Sequence, residues 1–107
     1  IPSYTIQTLA KAIAPSAKIE YVGIRPGEKL HEEMITISDS YNTIDIGPYY
    51  AILPTGSKKE KFLRFYENSH EVSPGFSYNS GTNSEWVNVD EMRDLIRQHV
   101  DPNFQPV

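Results

Sequence analysis

The sequence predicts an α+β fold of two or three helices beside a few short strands, and three observations lead there. Apolar residues recur with helical period near each end, at Tyr4–Ala14 and at Val89–His99. Between them, short runs alternate apolar and polar residues as half-buried strands do. Nowhere does the order of elements repeat the β-α-β unit of a dinucleotide-binding fold, so no complete Rossmann fold is expected.

In the first helix Ile6, Leu9, Ala10 and Ile13 fall at i, i+3, i+4 and i+7 and should form its buried face. Ser3 or Thr5 can supply the N-cap oxygen, and Pro15 stops the helix. Lys18–Ile24 alternates and is expected as a strand. Arg25-Pro26-Gly27-Glu28-Lys29 is a loop by its Pro-Gly pair. Leu30–Ile35 resumes a short helical pattern, with Leu30 and Met34 at i and i+4. Tyr41–Ile46 and Tyr49–Leu53 read as strands separated at Gly47-Pro48. Pro54–Lys61 is a polar connector, and Phe62–Tyr66 is too short to assign.

Glu67–Ser84 is rich in Ser, Asn, Gly and Pro and reads as one long loop, a kind of segment that is often functional. Trp86 is expected as a core anchor. Asn88 caps the last helix, with Asp90 and Glu91 in its first turn and Arg97 and His99 in its last, both favourable to the helix dipole. Val89, Met92 and Ile96 supply its buried face. Residues 1–101 are thus expected to form one domain and 102–107 a tail.

Bulk composition narrows the function. At 107 residues the chain fits one small domain, and 38% hydrophobic with 22% charged residues is ordinary for a globular protein. A net charge of −4 argues against nonspecific binding along nucleic acid. The absence of cysteine removes disulfides and thiolate chemistry, and it is compatible with a cytoplasmic setting. No apolar stretch approaches a membrane span. Ile1-Pro2-Ser3 reads as the interior of a longer polypeptide.

The most informative residues are Gly23 to Glu33. A strand that ends at Ile24 delivers Arg25 at its tip, and a Pro-Gly corner then fixes Glu28 relative to it. A guanidinium held this way suits a diphosphate, because its planar fork donates parallel hydrogen bonds to phosphate oxygens. A following helix would add its own unpaired N–H groups. Ionised Glu28 only accepts hydrogen bonds, so it can take one from a ribose hydroxyl or it can orient Arg25. The plainer reading of the pair is a surface salt bridge, worth about 0–1 kcal/mol.

The longer string Ile24-Arg25-Pro26-Gly27-Glu28-Lys29-Leu30-His31-Glu32 closely resembles the C-terminal signature of inverting UDP-N-acetylglucosamine 4,6-dehydratases. These are extended short-chain dehydrogenase/reductase proteins of bacterial surface-sugar biosynthesis. Pro2–Ala10, Tyr41–Pro54 and Tyr78–Trp86 are similar to the family's flanking helix, its next strand pair and its Ser- and Asn-rich segment. The resemblance covers nearly the whole chain, in order. It implies a small C-terminal domain that binds UDP-N-acetylglucosamine, with substrate-binding roles at Arg25, Glu28 and Asn83.

It also implies a parent reaction in which the sugar is oxidised at C4, water is lost across C5 and C6, and hydride returns to C6 with inversion at C5. The implied cofactor is NADP, held by an N-terminal domain that these residues do not contain. The implied setting is the bacterial cytoplasm, and the implied assembly is a homo-oligomer. Two family features are missing. No glycine-rich fingerprint follows a strand, and none of the tyrosines has a lysine four residues on. The chain alone is therefore expected to be inactive, with no catalytic or cofactor-binding residue of its own.

Other constellations are weaker. His31-Glu32-Glu33 would point in different directions on a helix, and His70 and His99 lie far off in sequence, so no metal site is expected. Lys58–Tyr66 mixes bases with aromatics, but Glu60 and the acidic total favour a solvated surface or a subunit contact. Two other functions remain open on sequence: an interaction or oligomerisation module with a structural Arg25 loop, and part of a nucleotide-sugar epimerase or reductase.

Overall fold

The computed structural model describes residues 1–107 as an α+β chain of short elements. In chain order they are α1 (Ile6–Ile13), β1 (Glu33–Ile35), a 3-10 turn (Asp39–Asn42), β2 (Thr43–Asp45), β3 (Tyr50–Ile52), α2 (Lys59–Phe65), β4 (His70–Glu71), β5 (Tyr78–Asn79) and α3 (Val89–His99). They fall into two units, one of residues 1–30 with 82–107 and the other of residues 31–81.

The first unit is built on α1 and α3. Thr5 caps α1, its Oγ1 accepting from the Thr8 N–H at 3.0 Å. Asn88 caps α3 with a capping box: its Oδ1 accepts from the Asp90 and Glu91 N–H groups, and Glu91 Oε2 accepts from the Asn88 N–H at 2.8 Å. Ala12, Val87 and Met92 form the core, with Leu9, Val89 and Ile96 packed around them. Arg93 reaches from α3 to the end of α1, where its Nε donates to the Ala12 carbonyl at 3.2 Å. That satisfies a terminal carbonyl that α1 cannot bond itself. The Val107 N–H donates to the Ile13 carbonyl at 2.8 Å, so the last residues lie against this unit.

The expected buried face of α1 needs correcting. Ile6 is 76% exposed, and the side that meets α3 centres on Leu9 and Ala12. Arg93 of α3 bonds the Lys11 and Ala12 carbonyls near the C-terminal end of α1, and Ile6 lies at its opposite end. The strand expected at Lys18–Ile24 is not formed either. No backbone group of residues 18–24 is hydrogen-bonded within the chain, and Tyr21 and Val22 are 75% and 79% exposed. Alternation alone makes no strand without a neighbour to complete the ladder. One side-chain tether holds this segment, from Gln7 Nε2 to Tyr21 Oη at 2.9 Å.

The second unit carries two small antiparallel sheets, ordered β3-β2-β4 and β1-β5. Ile44 and Thr43 on the central strand β2 are fully buried, and Thr43 Oγ1 donates to the Asp39 carbonyl at 2.7 Å. The Gly47-Pro48 break does turn β2 into β3, with the Ile46 N–H donating to the Tyr49 carbonyl. Tyr50 packs against Phe76 and Tyr78, ring centroids 5.2 and 5.7 Å away.

Several expectations change in this unit. Leu30–Ile35 is no helix, because its last three residues pair with Tyr78–Asn79 as β1 and β5. Residues 39–42 form the 3-10 turn, which shortens the strand expected from Tyr41. The unassigned Phe62–Tyr66 belongs largely to α2. The expected loop Glu67–Ser84 contains β4 and β5. Such strands escape sequence reading because each is two residues long and owes its existence to a distant partner.

Two predictions follow from these contacts. Asn88→Ala should destabilise α3 by about 1 kcal/mol, read as lowered amide-exchange protection across residues 89–99, and undiminished protection would contradict the capping role. The second concerns Asp39, whose carboxylate accepts from the Thr36 hydroxyl at 2.7 Å and its N–H at 3.1 Å. These bonds hold its pKa below the ordinary 3.8. A depressed folded value means a contribution fully present above the ordinary pKa and lost as pH falls through the lowered one. Asp39→Asn should therefore flatten the part of the stability loss in urea melts that sets in as pH falls below the ordinary carboxylate value of 3.8. An unchanged acid limb would contradict it.

Candidate nucleotide-sugar site

Arg25 and Glu28 are brought together by the turn between them. The Glu28 N–H donates to the Arg25 carbonyl at 3.1 Å, closing a four-residue turn with Pro26 and Gly27 at its centre. Gly27 has φ of +83°, the left-handed conformation that the third position of a type II turn requires. Proline fixes the preceding φ, so the two central residues match the turn from opposite directions.

On this turn Glu28 folds back along Arg25. Its Oε2 accepts from the Arg25 backbone N–H and its Oε1 from Arg25 Nε, each at 2.8 Å. Both carboxylate oxygens are thus used within the turn. The guanidinium gives up only its Nε–H, and the two terminal nitrogens keep their donors on a side chain 79% exposed. Such an edge presents parallel donors to a phosphate without further rearrangement. The following residues are not helical, so the helix N-terminus expected to assist Arg25 is not there.

Asn83, in the same unit, has other partners. Its Nδ2 donates to the Ile1 carbonyl at 2.9 Å, to Ser3 Oγ at 3.0 Å and to the Glu85 carbonyl at 3.3 Å. Its Oδ1 accepts from the Glu85 N–H, and its backbone carbonyl accepts from Trp86 Nε1 at 2.8 Å. Beside it, Ser3 and Trp86 form a parallel bridge. Asn83 therefore fastens the start of the chain to the segment before α3. Trp86 is 47% exposed and is an anchor through its indole N–H, not the core residue expected.

Sequence reading missed one cluster that lies in the second unit. The Glu32 N–H donates to Ser80 Oγ at 3.0 Å, and the Ser80 N–H donates to the Glu32 carbonyl at 2.8 Å. The His31 ring lies so close to Gly81 that a Cβ there would sit 2.8 Å from its Cδ2. His31-Glu32 and Ser80-Gly81 both fall inside strings already singled out, but only the fold reveals that they touch. No three His, Asp or Glu side chains converge to hold a metal ion. No helix is long and apolar enough to cross a membrane.

Known proteins resemble this chain over nearly all of its length. It is 41% identical over 101 residues to an inverting UDP-N-acetylglucosamine 4,6-dehydratase of Campylobacter jejuni serotype O:23/36, covering 90% of this chain and 30% of that protein. A UDP-glucose 4-epimerase of Rickettsia canadensis is 31% identical over 99 residues, 89% of this chain and 29% of that protein. Among solved structures, Pen from Bacillus thuringiensis superposes with a TM-score of 0.65 at 25% identity, over 92% of this chain and 29% of that one. The chain thus spans about three-tenths of the length of these relatives. A family model described as polysaccharide biosynthesis protein matches residues 1–54, half the chain and the half that contains the Arg25 turn. This chain belongs to the polysaccharide biosynthesis protein family.

Proposed function

We propose that this chain is the UDP-N-acetylglucosamine-binding part of an NADP-dependent, C5-inverting 4,6-dehydratase, in which Arg25 binds the diphosphate. The observation that carries the reading is the Arg25 turn, an exposed guanidinium fixed through Nε with its terminal donors unspent. The 41% identity to the Campylobacter jejuni dehydratase supports the sugar and the reaction class. Glu28 and Asn83 join Arg25 as substrate-binding residues on the resemblance. The same reading carries self-association of the longer protein and a cytoplasmic site of action.

The residues of this chain do not fit a dinucleotide site. Both of its sheets are antiparallel, and no strand runs through a glycine-rich turn into a helix. NADP and the groups that move protons therefore belong, in this reading, to polypeptide outside these residues. On its own the chain binds and positions, and performs no step of the reaction. A second reading, part of a UDP-glucose 4-epimerase, rests on the Rickettsia relatives at 29–31% identity. The Arg25 assignment is common to both, since each takes a UDP-sugar.

A titration of the chain with UDP-N-acetylglucosamine, followed by amide NMR, tests the assignment. Shifts should cluster at residues 24–29 and vanish in Arg25→Ala, with affinity reduced by about tenfold or more, as for loss of a charge-assisted pair. A folded spectrum that does not respond, or an Arg25→Ala variant that binds as well, would defeat the reading.

A further inference from the structure

We infer that the cavity lined by Lys58, Lys61, Arg64 and Phe65 on α2 is a second anion site, which takes a nucleotide with its phosphate on the three cations and its base on the phenyl ring. It belongs to the second unit, whereas Arg25 and Asn83 belong to the first, and it stands apart from what those residues bind. The bases and aromatics of this segment sort onto two sides of α2. Phe62 and Leu63 are half-buried, and Lys59 turns to Glu71, its Nζ 3.2 Å from Oε1. Lys61, Arg64 and Phe65 are three and four residues apart, neighbours on a helix surface, and with Lys58 and Glu60 they line one open cavity of about 530 Å³. Sites for small ligands are of that size, roughly 300–1,000 Å³.

The side chains of Lys58, Lys61 and Arg64 have no hydrogen-bond or ion-pair partner in the chain. Arg25, Arg93 and Arg97 each hold a carboxylate, which leaves Arg64 as the arginine without one. Gathering such side chains on one face is unfavourable in itself, because like charges one helical turn apart repel. Glu60 is the one carboxylate among the lining residues, so three cations and one anion leave a surplus of two positive charges. A phosphate monoester carries about −1.5 to −2 near pH 7 and matches that surplus. Arg64 offers its oxygens a planar fork of donors, and the lysines offer point charges. The remaining wall is apolar. Phe65 is 78% exposed, and Tyr66 meets it edge to face, ring centroids 5.0 Å apart, which orients the phenyl ring and leaves most of it open. An exposed ring beside cations is what a nucleotide base stacks on, whichever base it is. An inorganic anion would use the cations and leave the ring idle.

The test is an amide NMR titration with AMP, with inorganic phosphate and adenosine titrated in parallel. All titrations use the Arg25→Ala chain, so that the Arg25 turn contributes nothing to them. Shifts should cluster at residues 58–65 and saturate, with AMP held at least about fivefold tighter than phosphate or adenosine. Arg64→Ala and Phe65→Ala should each weaken AMP by about five- to tenfold, and Phe65→Ala should leave the affinity for phosphate as it was. No response at residues 58–65 overturns the inference and makes this face of α2 a solvated one. AMP bound no better than phosphate overturns it too, as the mark of a patch that attracts any anion. So does undiminished AMP affinity in Arg64→Ala or in Phe65→Ala. Both side chains are exposed, and unchanged amide shifts in β2 and β3 show that each variant is folded.

Discussion

The fastening of the chain's start to the segment before α3 is the constraint on which the first unit depends. The Ser3 N–H donates to the Glu85 carbonyl and the Val87 N–H to the Ser3 carbonyl, both at 2.8 Å, while the Asn83 side chain bonds Ile1 and Ser3. These groups are about eighty residues apart in sequence, and closing such a loop is entropically costly. Once closed, it sets α1 beside α3, buries Ala12 against Met92 and lets Arg93 reach the end of α1. Asn83 serves because its amide both donates and accepts in one plane. An aspartate there would face three carbonyl or hydroxyl oxygens with no hydrogen to offer the carbonyls.

The Arg25 turn obeys a different logic. Nothing in the backbone of residues 18–24 is bonded within the chain, yet the turn that follows is complete in itself. Proline, glycine and a carboxylate define it within four residues, through one backbone bond and two side-chain bonds. A local turn of this kind keeps its geometry even where the flanking segment is exposed. That is how a side chain on an irregular stretch can still be presented in a defined way. Tyr21, Val22 and Ile24, just before it, are among the exposed apolar residues of the chain.

What was legible in the sequence is what local chemistry decides. The caps at Thr5 and Asn88, the periodicity of α1 and α3 and the corner at Pro26-Gly27 all depend on residues within one turn of each other. The Gly47-Pro48 turn was legible for the same reason. What failed depended on distant partners. Lys18–Ile24 had the alternation of a strand and lacked a neighbour, whereas Glu33–Ile35 had a helical spacing and acquired one in Tyr78–Asn79. Trp86 was misread because its bulk outweighed its one polar atom, which the fold uses on the Asn83 carbonyl. Within the candidate site, the pairing of Arg25 with Glu28 was foreseen as a possibility, but its two-point geometry was not.

The central claim is that the shape of this turn, beyond the mere presence of its charged residues, prepares Arg25 for a diphosphate. Gly27→Ala tests it most directly, because it leaves Arg25 and Glu28 in place and a Cβ there meets open space. Its only lesion is the left-handed φ of +83°, which costs a residue with a side chain roughly 1–2 kcal/mol. The measurement is the affinity of the chain for UDP-N-acetylglucosamine before and after the substitution. The account predicts a loss of about tenfold with α3 protection unchanged. Undiminished affinity in a folded variant would show that the turn prepares nothing.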